Sequence, residues 1–194
     1  MFSMGPPLWG GAGGDPYAGE VRALFHFNEA DGTTLPSSSL GSPSVANSGA
    51  AFNTVSSTAP KFGAGAWFAN SGDNQGLKIT ANVGAGIVPY TLEFFVNPVS
   101  FGGFGRFFAV TNTSGSGNLF ALSFAGGNLT WIDATGSGSA TTGTMSTGTW
   151  YHIAICYESA TVKVYLNGAQ VFSSSSVAKS ISNNNDIGIG CSVG

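Results

Sequence analysis

From Val21 onward the chain is built of short apolar runs separated by turn residues, and no window sustains the roughly 3.6-residue period of an amphipathic helix. The runs predict strands over Arg22–Asn28, Gly65–Asn70, Leu77–Thr80, Tyr90–Asn97, Gly105–Thr111, Asn118–Phe124, Asn128–Asp133, Thr149–Glu158, Thr161–Leu166, Ala169–Phe172 and Asp186–Cys191. Asp31-Gly32, Gly126-Gly127 and Asn167-Gly168 supply the positive φ angles of tight turns, and the last two sit where hairpin turns belong. Val162, Val164 and Leu166 alternate with Thr161, Lys163 and Tyr165, which predicts one packed and one solvated face. Trp150 to Tyr157 is apolar at both sets of alternate positions, the pattern of a central strand covered on each side. Thr33–Gly49, Ser114–Gly117 and Ser137–Thr147 are rich in Ser, Thr and Gly and read as loops.

The first nineteen residues, Met1–Gly19, show neither period. Pro6-Pro7 and a GGAGG run make them a non-globular arm, while Phe2, Met4, Leu8, Trp9 and Tyr17 are anchor-type residues able to dock on a partner. The glycines are not a phosphate loop, because no strand precedes them and the lysine of that motif is absent. The organisation expected is therefore an arm over 1–19 and one all-β domain over 20–194.

Composition narrows the classes. With 42% hydrophobic residues and a net charge of only −3, the 194-residue chain has the apolar content to fold and lacks the charge of a disordered one. Six Lys plus Arg against nine Asp plus Glu cannot form a phosphate-neutralising stripe, so nucleic acid is not an expected partner. No run approaches the roughly 18 apolar residues of a membrane span, and Met1–Glu20 lacks the pattern of a signal peptide, so synthesis in a cytoplasm without export is expected. Solubility rests on Ser, Thr, Asn and Gly, a composition associated with work outside cells. Cys156 and Cys191 are read as packed thiols, with a single bridge left open.

The ordered blocks LFHFNEADGTT, KFGAGAWFANSGDNQGLKI, YTLEFFVNP, GTWYHIAICYESATVKVYLNGAQV and DIGIG resemble the concanavalin A-like lectin/glucanase superfamily, laminin G-like branch, over about Val21 to Gly190. The most specific part is Trp150, His152, Ile153 and Ala154 followed by Val164–Gly168. The resemblance implies an all-β, two-sheet antiparallel jelly-roll sandwich, which the many short strands and Gly-rich turns independently favour. Phe95 stands where similar sequences often carry Trp, and the chain ends at Cys191-Ser192-Val193-Gly194 before the closing strand usual in the family. An open sheet edge beside Arg22–Asn28 is the expected consequence, to be filled by a continuation, the arm or a neighbouring subunit.

Sugar-cleaving members of the superfamily carry paired acids on one strand, because one carboxyl attacks while another delivers a proton. Here only Glu29 and Asp31 lie two apart, beside a turn, and Glu93 matches a structural glutamate of the family, so no enzyme is expected. His26 and His152 lie within aromatic strands and read as packed, hydrogen-bonded residues. Calcium, which the superfamily can bring, would find hard oxygens at Asp73 and Asn74 or at Asp186, but one acid per loop favours turn-making and no cofactor. Phe101, Phe104, Trp131 and Tyr165 are candidates to stack on sugar faces, with core packing as the competing role.

A lectin-like sandwich without catalytic acids or an export signal leads to a non-enzymatic virion structural protein of a bacteriophage: a capsid decoration protein, tail fibre or tail-associated adhesin. Its expected partners are other virion proteins through the arm, in a symmetric assembly, and a host-surface glycan. The alternative is a carbohydrate-binding module of a bacterial surface or secreted protein.

Overall fold

The computed structural model describes residues 25, 29–31, 33, 44–48, 54–56, 60–61, 66–68, 76–80, 89–101, 104–112, 118–133, 140–175 and 185–190. Their regular structure is entirely strand: β1 (Ser44–Ser48), β2 (Thr54–Ser56), β3 (Ala66–Phe68), β4 (Gly76–Thr80), β5 (Tyr90–Val96), β6 (Phe104–Asn112), β7 (Asn118–Ala125), β8 (Asn128–Asp133), β9 (Ala140–Thr144), β10 (Tyr151–Glu158), β11 (Thr161–Leu166), β12 (Ala169–Ser174) and β13 (Asn185–Ile189). No helix among the described residues is long and apolar enough to cross a membrane.

The strands form a seven-stranded sheet in the order β1-β4-β13-β6-β7-β8-β9, a four-stranded sheet in the order β12-β11-β10-β5, and a separate β2-β3 pair. Every pairing among the described residues is antiparallel, giving the jelly-roll sandwich expected from the sequence. Alternate residues of each sheet meet in the middle: Leu77, Ile79, Phe108, Val110, Phe120, Leu122, Leu129 and Trp131 from the larger, and Phe94, Ile153, Ile155, Val162 and Val164 from the smaller. Stacking of Trp131 on Phe172, with ring centroids 5.9 Å apart, ties β8 to β12 across the interior. In β6 the register shifts between Arg106 and Phe108, so Phe107 and Phe108 are both buried.

The hairpin turns follow the expected chemistry at Gly126-Gly127 (φ 53° and 80°) and at Asn167-Gly168 (φ 51° and 82°). The β10–β11 turn reaches the same left-handed region with Ser159 (φ 49°) and Ala160 (φ 60°), which sequence patterning does not mark.

Two segments read as loops contain strands: β1 lies within 33–49 and β9 within 137–147. Both end the seven-stranded order among the described residues, where backbone pairing alone defines a strand that carries little apolar patterning. In β1, Val45 packs on the core while Ser44 and Ala46 stay exposed. The short strand β2 is likewise absent from the sequence-based expectation. Of the predicted strand Arg22–Asn28 only Phe25 is described, fully buried in the core, so the open edge expected there lies outside the described residues. The arm, with Phe2, Met4, Leu8, Trp9 and Tyr17, also lies outside them, as do His26 and Cys191.

Candidate functional site

The outer side of the four-stranded sheet carries the candidate site, and strand alternation decides its membership. With Ile153, Ile155 and Tyr157 turned to the core, His152, Ala154 and Cys156 of β10 face outward. The same alternation puts Thr91, Glu93 and Phe95 of β5 and Thr161, Lys163 and Tyr165 of β11 on that side. Cross-strand register then sets Gln170, Tyr165, Ala154 and Glu93 in one row across β12, β11, β10 and β5. Strands spaced about 4.8 Å apart place Tyr165 and Glu93 about 10 Å from each other, with the small Ala154, only 9% exposed, at the bottom of the row between them.

The adjoining row brings His152 and Phe95 together, with ring centroids 4.8 Å apart. His152 Nε2 lies 3.4 Å from Glu93 Oε2, and the Lys61 ammonium lies 5.9 Å from the Phe95 ring centre. On the far side of Ala154, Cys156 is paired with Thr91 and Lys163, and its sulfur accepts a long hydrogen bond of 3.8 Å from the Thr91 hydroxyl. Cys156 is a free thiol. The face thus combines half-buried aromatic surface with a carboxylate, an imidazole, an amide and ammonium groups. Such a mixture suits polar ligands with an apolar face better than a purely apolar partner.

The outer side of the seven-stranded sheet is buried over several positions at its centre, whereas on the four-stranded face only Ala154 is buried among the outward residues named above. Ala109, Thr111, Ala121 and Ser123, which alternate with core residues, are all buried. Asp186 on β13 is 5% exposed, accepts a hydrogen bond of 2.9 Å from the Thr80 hydroxyl and lies 2.7 Å from Lys78 Nζ. Both carboxylate oxygens of this calcium candidate thus face protein groups, one the Lys78 ammonium and the other the Thr80 hydroxyl. No group of three or more His, Cys, Asp or Glu able to hold a metal ion occurs among the described residues, and Asp73 and Asn74 lie outside them.

The aromatic candidates separate in the same way. Tyr165 is half-buried on the open face. Trp131 is 1% exposed and stacked between Phe120 and Phe172, so it is a core residue and not a sugar platform. Phe101 packs edge-on against Phe124 with centroids 5.9 Å apart and leans on the core. Phe104 begins β6, and its side chain lies outside the described residues. His152, read from sequence as a packed, hydrogen-bonded residue, packs on Phe95 with its side chain 29% exposed and lies beside Glu93, which the sequence reading makes structural. The alternation His152-Ile153-Ala154-Ile155 contains the signal that places His152 outward, but pairing it with Glu93 requires the β5–β10 register.

Residues 70–194 match the family model of the Concanavalin A-like lectin/glucanases superfamily. The chain belongs to this superfamily. The superfamily sandwich seen here is similar in fold to domain 4 of an extracellular arabinanase from Geobacillus stearothermophilus, solved in complex with arabinotriose, with a TM-score of 0.59 and 18% identity over 78% of this chain and 74% of that one. It is also similar to Trypanosoma rangeli sialidase, with a TM-score of 0.56 and 14% identity over 84% of this chain and 26% of that one. The receptor-binding domain of botulinum neurotoxin type G gives a TM-score of 0.52 and 15% identity over 81% of this chain and 40% of that one. No curated protein sequence matches this superfamily member.

Proposed function

We propose that this lectin-like sandwich is a non-catalytic recognition domain that binds a saccharide on the outer face of its four-stranded sheet. The observation that carries this reading is the row through Ala154, with Tyr165 on one flanking strand and Glu93 on the other. A sugar ring stacked on Tyr165 would turn its hydroxyls to Glu93, His152 and Gln170. The arabinotriose bound by the similarly folded arabinanase domain supports a saccharide as ligand class. Non-catalytic character is supported by the neighbours of Glu93: Thr91 and Phe95 on its own strand and His152, Ala154 and Cys156 on β10 include no second carboxylate.

The setting proposed for this domain is a bacteriophage particle, as a decoration, fibre or tail-associated protein held by residues 1–19. The aromatic anchors Phe2, Trp9 and Tyr17 and the low charge of the chain support it. Imaging particles that carry full-length protein or protein lacking residues 1–19 tests the setting: loss of incorporation with the fold retained is expected, and normal incorporation overturns it.

Saccharide recognition is tested by an oligosaccharide array that includes arabinotriose, followed by calorimetry on the best binder. Binding that weakens about tenfold in Tyr165→Ala is expected. An array without any bound saccharide, or binding that Tyr165→Ala and Glu93→Gln leave unchanged, overturns it.

A further inference from the structure

We infer that Asn167 is a positioning residue for this recognition face, holding His152 where it can meet ligand; the inference rests on the saccharide reading above. The last register pair of β10 and β11 is Ile153 with Leu166, and beyond it the chain turns through Asn167 and Gly168. At φ 51° Asn167 enters the turn, and its N–H still reaches β10 while its side-chain oxygen takes the place of a backbone acceptor. The His152 backbone N–H donates to Asn167 Oδ1 at 2.9 Å, and the Asn167 N–H donates to the His152 carbonyl at 2.8 Å.

Both backbone groups of His152 are thus held by one residue that lies outside the strand. These bonds hold the β10 backbone on its β11 side at the residue whose imidazole lies 4.8 Å from the Phe95 ring and 3.4 Å from Glu93 Oε2, while the β5 register holds the other side. Two properties are needed at 167: tolerance of positive φ, and a short side chain ending in an acceptor. Asn and Asp meet both, whereas Gly meets only the first. This separates a turn-making role from a positioning role.

Asn167→Gly keeps the turn and deletes the acceptor; Asn167→Asp keeps both. The ligand-free readout is the set of nuclear Overhauser cross-peaks between the His152 and Phe95 rings in isotope-labelled full-length protein. The second readout is affinity for the best saccharide of the array. The ring cross-peaks are expected to vanish in Asn167→Gly and persist in Asn167→Asp, with affinity falling about three- to tenfold only in the former. Cross-peaks or affinity preserved in Asn167→Gly, or cross-peaks that vanish equally in Asn167→Asp, overturn the inference alone. A wild-type chain that binds no saccharide overturns the recognition reading and this role with it, whatever the ring cross-peaks show.

Discussion

Gly105 and Phe124 oppose each other across the β6–β7 pair, and the phenyl ring of Phe124 occupies the space that a side chain at 105 would need. A Cβ there would stand 2.7 and 2.8 Å from the two Cε atoms of the ring. The ring has little room to retreat, since Phe107 lies 4.5 Å away and Phe101 5.9 Å away, centroid to centroid. Covering a strand glycine with a cross-strand aromatic compensates for the packing that glycine cannot supply. Gly105→Ala is therefore expected to cost about 2 kcal/mol by overpacking. Urea unfolding measures it, and in a Phe124→Ala background the added cost of Gly105→Ala should fall close to zero.

The hairpin turns provide a matched set. Ala160 (φ 60°) and Gly168 (φ 82°) occupy corresponding left-handed positions in successive turns, and a Cβ at Gly168 would meet nothing within 4 Å. Ala160→Gly is expected to stabilise the protein by about 1 kcal/mol, and Gly168→Ala to destabilise it by a similar amount. Gly127 (φ 80°) adds a steric clash, because its Cβ would lie 2.9 Å from the Met145 carbonyl oxygen, whose own residue donates N–H to the Gly127 carbonyl at 2.7 Å. Gly127→Ala should thus cost clearly more than Gly168→Ala in the same thermal unfolding series.

How far the sequence prescribes all this depends on what each residue buries. Thr161–Leu166 is legible to the residue because Val162 and Val164 pack while Lys163 faces water. β1 and β9 are not, since the sequences SVANS and ATTGT carry almost no apolar alternation, and backbone pairing leaves no trace in composition. Trp131 illustrates a signal present but outweighed: Leu129 and Trp131 share one face of β8, so the burial of one implies the burial of the other. The candidate site is only partly visible for a different reason. Tyr165 can be named from its own strand, but Glu93 and His152 become neighbours through a pairing between strands far apart in the chain, which no local pattern encodes.

The ion pair of Lys78 and Asp186 is unequal in burial, with side chains 37% and 5% exposed. Removing the lysine strands a carboxylate that water hardly reaches and that keeps the Thr80 hydroxyl as a neutral donor; removing the carboxylate leaves an ammonium able to turn to solvent. Lys78→Met is accordingly expected to destabilise by about 2 kcal/mol, and by more than Asp186→Asn, in urea unfolding at neutral pH.

Burial, with Tyr157 beside it at a ring distance of 5.4 Å, pushes the Tyr90 phenol well above its ordinary value of 10.0. Above that ordinary value the unfolded chain releases a proton that the folded chain keeps, so stability falls as pH rises, whereas below it this group contributes no pH dependence. The fall in urea midpoint between about pH 9 and about pH 11 should be shallower in Tyr90→Phe than in the parent protein. An unchanged slope would mean that Tyr90 ionises as readily in the folded chain as in the unfolded one.

Trp131 and Tyr165 are both large aromatics on neighbouring layers, and their substitutions should have opposite signatures. Trp131 is 1% exposed and stacks on Phe120 at 5.5 Å and on Phe172 at 5.9 Å, so its loss empties the centre of the sandwich. Trp131→Ala is expected to cost about 3–5 kcal/mol, while Trp131→Phe keeps an aromatic in place and leaves saccharide affinity unchanged. Tyr165 stands on the open face, where water can replace most of what the ring touches, so Tyr165→Ala should cost about 1 kcal/mol or less in stability. Its effect is expected in binding instead. Paired measurement of unfolding free energy and saccharide affinity on the Trp131→Phe and Tyr165→Ala proteins separates the two roles, and a loss of affinity in Trp131→Phe equal to that in Tyr165→Ala would show that recognition does not reside on the four-stranded face.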